Sequence, residues 1–172
     1  PYTPLEFIVE RQEGVTHPAT LRAIADWQRK MEAEAEVGWS RSAADVVARL
    51  DAVMRDESVG EVPEDETALA QLLFLYAADP ESDMHRFIDS EGTRARVTVG
   101  IPMESARGFD ARIQSLSALA ELPEGVTLTP AGYLPLYVRI MDHIVASQLS
   151  SFGLAFGIIF LLIGVLFRSL RV

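Results

Sequence analysis

The chain has 172 residues, with 15 Lys and Arg against 25 Asp and Glu and no cysteine. The net charge of −10 argues against a nucleic-acid backbone as partner. The lack of cysteine excludes a disulfide framework, a thiolate nucleophile and a Cys-ligated metal. With 49% apolar residues the chain is too hydrophobic for a disordered polymer, and those residues are unevenly spread.

Leu5 to Glu10 alternates as a strand does, and Gly14 breaks it. Thr16, His17 and Pro18 give a helix start with proline in the first turn. Leu21, Ile24, Gln28, Met31 and Ala35 then follow helical spacing, and Val37 to Ser40 forms a short second strand. Together they make a first β-α-β unit.

Ser42 to Asp45 fits a capping box. The helix it opens is expected to bury Val46, Val47, Leu50, Val53 and Met54. Asp56 to Glu66 is polar and contains Gly60 and Pro63, so it reads as a loop. The acidic run Glu64-Asp65-Glu66 suits the start of another helix, which carries Leu69, Leu72, Leu73 and Tyr76 and ends at Asp79-Pro80.

Arg94 to Ile101 is the cleanest strand: Ala95, Val97, Val99 and Ile101 face one way, Arg94, Arg96 and Thr98 the other. Ser105 can cap a helix with Phe109, Ile113, Leu116 and Leu119 or Ala120 inside, and Val126 to Thr129 closes a second β-α-β unit. The expected fold is α+β: a ferredoxin-like βαβ-βαβ domain over residues 1–135, with a helical insertion at 42–93. Residues 136–148 then form a helical stalk that continues without a break into the membrane. In such a helix, motion of the domain passes directly into the bilayer.

Leu149 to Phe167 is a 19-residue stretch without a charge, whose only polar side chains are Ser150 and Ser151. About 20 apolar residues span the hydrocarbon core as a helix. Arg168 and Arg171 follow, so residues 168–172 are expected to open the cytoplasmic side. Residues 1 to about 145 are then extracytoplasmic or periplasmic. The 148 residues before this segment hold all 25 acids and 13 basic residues, a balance of −12. Ser150, Gly153, Gly157 and Gly164 form one stripe of small residues, the pattern of a helix that packs closely on another in lipid. The chain opens with Pro1 and stops five residues past the membrane segment. It is therefore expected to be a fragment of a longer protein, its N-terminal side exported by a removed signal peptide or an earlier membrane helix.

The search for catalytic motifs is negative. There is no nucleophile elbow, zinc-protease helix, P-loop or dinucleotide fingerprint. His17, His85 and His143 have no metal-ligand spacing. No catalytic, cofactor-binding or metal residue is assigned, and the chain is not expected to be an enzyme. Trp27 and Trp39 can line a ligand cleft, although such residues more often fill a core. Arg94 and Arg96 can hold an anionic headgroup, although on the open face of a sheet they are usually solvated. Arg139, Asp142 and His143 stand within about two turns of the membrane entry. There they can join a path for protons or lipids, or simply form an interfacial pair. Trp39, Arg139, Asp142 and His143 are the tentative residues of a substrate cleft or interface.

Several stretches carry a family resemblance: THPATLRAIADWQRKMEAEAEVGWSRSAADVV, RARVTVGI, and VTLTPAGYLPLYVRIMDHIVASQLSSFGLAFGIIFLLIGVLFRSLRV. Together they resemble the large extracytoplasmic loop of an RND-superfamily exporter of the MMPL or hydrophobe-exporter type. That loop is a β-α-β-β-α-β porter domain feeding a long helix with an F-R-S-like end. The family usually has Thr-Gly where this chain reads Thr129-Pro130-Ala131-Gly132, so the cleft edge differs. PYTPLEFIVE and the helical insertion look more like the second of the family's two loops. The resemblance implies proton-driven export of lipids or other hydrophobic molecules across the cell (inner) membrane by a multi-pass protein, the porter domain binding and passing substrate. The acidic proton carriers of such proteins lie outside this segment. The implied partners are membrane lipids, a hydrophobic small-molecule or lipid substrate and other transmembrane helices of the full-length chain, with further copies of the chain left open. Two other classes remain beside it: a single-pass, membrane-anchored extracytoplasmic sensor or binding domain, and a membrane-tethered enzyme, which the empty motif search disfavours.

Overall fold

The alternation of Leu5, Phe7 and Val9 with polar neighbours makes strand β1, Tyr2–Arg11, in which those three side chains are fully buried. The computed structural model describes residues 2–58, 60–102 and 108–167, without the side chains of Val138, Arg139 and Asp142. The expected cap at Ser105, the Arg168/Arg171 flank and the side-chain roles of Arg139 and Asp142 lie outside the described residues.

The remaining elements follow in order: α1 (Pro18–Glu32), β2 (Trp39–Arg41), α2 (Ala43–Arg55), α3 (Glu66–Ala77), a 3-10 turn (Met84–Arg86), β3 (Arg94–Pro102), α4 (Phe109–Ala118), β4 (Val126–Ala131) and α5 (Tyr133–Phe167). The fold is α+β. Its four-stranded sheet has the order β2-β3-β1-β4, and every neighbouring pair is antiparallel. Leu5 pairs with Val99 and Phe7 with Val97, which brings the apolar faces of the two central strands together. Pro130 is tolerated in β4 because that strand lies at the sheet edge. By contacts, residues 1–135 form one unit and residues 136–172 another.

α1 covers the apolar face. His17 is its N-cap, the imidazole Nδ1 accepting from the Ala19 amide at 3.2 Å, and Pro18 occupies the first helical position. Leu21, Ile24, Trp27, Gln28 and Met31 are buried, but Ala35 lies past the helix end and is exposed. Trp27 is a core residue: its ring meets Phe7 edge-on at 5.1 Å, and its indole N–H donates to the Leu116 carbonyl at 2.8 Å. One side chain thus joins α1 to both the sheet and α4, whose Phe109, Ile113 and Leu116 are buried.

On the opposite face of the sheet, Arg94 pairs with Glu10 at 3.3 Å and Arg96 with Glu6 at 3.7 Å, both across the β1–β3 ladder. Arg94 and Arg96 are therefore cross-strand partners rather than free cations. The turn into β3 is held by Asp89. Burial opposes ionisation of its carboxyl, but hydrogen bonds from the Arg94 and Thr93 amides and the Thr93 hydroxyl keep its pKa below the ordinary value.

The segment between β2 and β3 is mainly helical, and α2 docks through a buried polar network. Ser42 Oγ accepts from the Ala44 amide and the Asp45 carboxylate from the Ser42 amide, completing the capping box. The Gln28 amide nitrogen donates to Ser40 Oγ at 2.9 Å and to Asp45 at 2.8 Å, while its oxygen accepts from Ser42 Oγ at 2.6 Å. Ser40 in turn donates to Glu32 through both its amide and its hydroxyl. Among the described residues no buried side-chain polar atom lacks a partner.

This docking buries Val47 as expected but corrects the rest of the expected face of α2. The buried residues are Ala43, Ala44, Val47, Asp51 and Ala52, whereas Val53 and Met54 are 73% and 66% exposed, and Val46 and Leu50 are half-buried. Small side chains let α2 approach α1 and the sheet closely, so its bulkier aliphatic stripe turns outward. The loop before α3 comes as close: a Cβ at Gly60 would collide with the Ala48 carbonyl oxygen. In α3, Leu69 and Leu72 are buried as expected, and Leu73 and Tyr76 are half-buried. Asp65 caps this helix through the Ala68 amide at 3.0 Å, and Glu64 pairs with Arg22 at 2.6 Å, so both acids have structural roles.

Replacing Gln28 by Met keeps the volume but strips partners from Ser40, Ser42 and Asp45. Each keeps one other partner, so three hydrogen bonds worth about 0.5–1.5 kcal/mol apiece are lost, and Gln28→Met is expected to destabilise the domain by about 2–4 kcal/mol. Denaturant unfolding of the purified chain measures this. A change below about 0.5 kcal/mol, the scale of a neutral surface substitution, contradicts the role given to the amide.

Candidate functional site

The outward stripe of α2 forms one wall of a groove of about 500 Å³. Val46, Leu50 and Val53 stand on this wall at helical spacing, and Phe87 lines the groove just after the 3-10 turn. Arg41 from the edge strand β2 and Arg49 from α2 supply positive charge. Ser40, Ser42, Asp45, Tyr76 and Asp83 complete the lining, the Tyr76 phenol donating to the Asp83 carboxylate. That hydrogen bond holds the Asp83 carboxyl below the ordinary carboxylate range and pushes the Tyr76 phenol above its own. The groove thus joins an aliphatic wall to a charged end that holds two arginines and two aspartates. Among the described residues no three His, Cys, Asp or Glu side chains are placed to hold a metal.

Trp39 lies beside this region without lining it. It is 36% exposed, covers Gly100 of β3, and carries the Arg41 guanidinium 5.9 Å from its ring centroid. Arg139, Asp142 and His143 belong to α5, a separate unit of the chain from the domain that holds Trp39. His143 is exposed and opens the apolar stretch His143–Phe167, the candidate span, with mean hydropathy 2.5. That stretch starts six residues before the expected Leu149. It is long and apolar enough to cross a membrane, which supports anchoring. Within it Ser150, Gly153, Gly157 and Gly164 share one helical face. A Cβ added at any of the three glycines would meet open space outside the helix's own backbone.

The groove escaped the sequence reading because β2, α2 and the Tyr76–Phe87 segment are brought together only by folding. The available signal was the outer aliphatic spacing of α2, which sequence alone assigns to a core face. No family model, curated protein or solved structure matches the chain.

The Tyr76–Asp83 pair gives a pH test. A carboxyl whose pKa is lowered by folding contributes stability that is complete above its unfolded value, near 4, and is lost as pH falls through the folded value. Tyr76→Phe should raise the Asp83 pKa toward the ordinary value and flatten the acid dependence of stability below about pH 4. Carboxyl-resolved NMR titration reads this directly. An unchanged Asp83 titration would show that the phenol does not act on it.

Proposed function

We propose that this chain is a porter domain with its adjoining membrane helix from a proton-driven, RND-type exporter of lipids or other hydrophobic molecules, of the MMPL type. The carrying observation is the strand-to-helix connection. Edge strand β4 ends at Ala131, Gly132 takes a left-handed turn at φ 84°, and one helix then runs from Tyr133 to Phe167. The last 25 residues of that helix are apolar enough for a bilayer. The ferredoxin-like reading of the domain is supported by its strand order. In β1-α1-β2 the middle strand β3 lies between the joined strands, and in β3-α4-β4 the middle strand is β1. The helices α2 and α3 between the halves fit the insertion of such a porter loop. In this reading the domain is extracytoplasmic, the protein is multi-pass in the cell membrane, and its partners are lipids, the substrate and other membrane helices. No enzymatic step is assigned.

A second reading has its own support. Among the described residues one helix is long enough to span a membrane, and a single-pass, membrane-anchored binding domain needs no more. The two readings separate in transport. In vesicles bearing the native protein, the exporter moves a fluorescent lipid in a way that a protonophore abolishes. Binding without gradient-dependent movement favours the anchor.

Topology is tested at Ser58, which is exposed in the loop after α2. Cysteine placed there should react with an impermeant thiol reagent in intact cells. Reaction only after lysis reverses the orientation.

The small-residue stripe of α5 gives a packing test. Gly157→Leu places bulk where helix backbones would meet, which should cost on the order of 1–3 kcal/mol. Ile159→Leu keeps volume and should be silent. Export or membrane abundance should fall for Gly157→Leu alone. Equal behaviour of the two variants would mean that no helix packs tightly there.

A further inference from the structure

The cations of this protein are distributed unevenly with respect to their partners. Eight described basic side chains, from Arg11 to Arg112, each face a carboxylate within ion-pair distance. Among the described residues Arg41, Arg49 and Arg86 have no carboxylate within that distance. In a chain with 25 acids against 15 bases, an unpaired cation is the exception. The three also converge. Arg41 and Arg49 line the groove on α2, and Arg86 precedes the groove residue Phe87 and acts electrostatically on Asp83.

Two acids, Asp45 and Asp83, also line the groove but stand beyond ion-pair distance of these arginines, each with one carboxylate oxygen held by local hydrogen bonds. Asp45 lines the groove one helical turn before Arg49, but its carboxylate accepts from the Ser42 amide and the Gln28 side chain. Asp83 accepts from Tyr76. The guanidinium of Arg41 rests against the Trp39 ring, which limits its freedom while leaving its N–H donors available. Beside these donors runs the wall of Val46, Leu50 and Val53, the first two half-buried and the third exposed. A volume of about 500 Å³ falls in the range that holds small organic ligands.

From this juxtaposition we infer that the groove binds an amphiphile with one anionic head, a carboxylate or phosphate monoester, and one aliphatic chain. Arg41 and Arg49 hold the head, and the chain lies along Val46, Leu50 and Val53 toward Phe87. Planar guanidinium donors match the oxygens of either head in a bidentate manner. The aliphatic wall loses its water when the chain covers it. The inference deepens the exporter reading by naming a substrate class and a site, but the binding itself does not require transport.

The test uses the full chain in phosphatidylcholine nanodiscs and a photoactivatable dodecanoate, with labelled peptides mapped by mass spectrometry. Labelling is expected in the peptides holding Val46 to Val53 and Phe87. Dodecanoate and dodecyl phosphate should both compete. Dodecanol, which lacks the anion, and inorganic phosphate, which lacks the chain, should not. The double variant Arg41→Gln, Arg49→Gln should lower groove labelling about tenfold or more while labelling of α5 stays constant. Both arginines are exposed, so the variant should fold. Leu50→Glu, which sets a carboxylate in the apolar wall, should lower groove labelling independently.

Labelling confined to α5 overturns the inference. So does groove labelling that dodecanol competes equally well or that survives both sets of substitutions. Competition by inorganic phosphate alone would mean a simple anion site, and protection of the groove by a second copy of the chain would mean an oligomer interface. Either result is also fatal to it. Groove labelling in a protein that moves no lipid leaves the inference standing and removes the exporter reading. Export with no groove labelling does the reverse.

Discussion

The side-chain amide of Gln28 is the contact on which the arrangement of this domain turns. It is buried, and it donates to Ser40 of β2 and Asp45 of α2 while accepting from Ser42. Three elements are thereby held in one relation by a group that has no water to fall back on. On the same helix, the neighbouring Trp27 reaches the other way, to Phe7 and to the Leu116 carbonyl. Helix α1 therefore locks both the sheet's cover and the docking of the inserted helices. With α2 fixed by its small residues, its larger aliphatic side chains must face outward.

That outward face acquires meaning from charge. An acidic domain ordinarily pairs its few cations, and the cross-strand ion pairs of Arg94 and Arg96 show this on the open face of the sheet. At the groove the arginines stand beyond ion-pair distance of the two lining acids, while the capping box and Gln28 hold Asp45 Oδ2 and Tyr76 holds Asp83 Oδ1. The polar interactions that dock α2 and order the 76–83 segment thus orient these acids locally, and Arg41 and Arg49 form no ion pair with them next to an apolar wall. In the exporter reading this groove offers a place for an amphiphile on the domain, and α5 offers the anchor in the bilayer.

Much of the fold was legible because local signals agreed with one another. The alternation in Arg94–Ile101 places Ala95, Val97, Val99 and Ile101 in the core. His17, Pro18 and the Ser42–Asp45 box open their helices where their chemistry requires. The face of α2 was not legible, because Val46, Leu50, Val53 and Met54 are apolar at helical spacing and hydrophobicity alone assigns such residues to a core. Close approach favoured Ala43, Ala44 and Ala52 instead. The free state of Arg49 was hidden for a similar reason. Asp45 stands four residues before it, the spacing of a helical ion pair, but in the fold its Oδ2 accepts from Gln28 and the Ser42 amide and Arg49 lies beyond ion-pair distance. Of the residues expected at a cleft, Trp39 stands beside Arg41 and does not line the groove.

The central claim is that one helix leaves the sheet edge at Gly132 and carries the chain through a bilayer. Nitroxide labels placed singly from Leu149 to Phe167, with the protein reconstituted in lipid, test it most directly. The account predicts that oxygen accessibility rises and aqueous nickel-chelate accessibility falls toward the middle of this segment, with a helical period in mobility along the glycine face. Nickel-chelate accessibility that stays high along the whole segment would place α5 in water and contradict the membrane assignment.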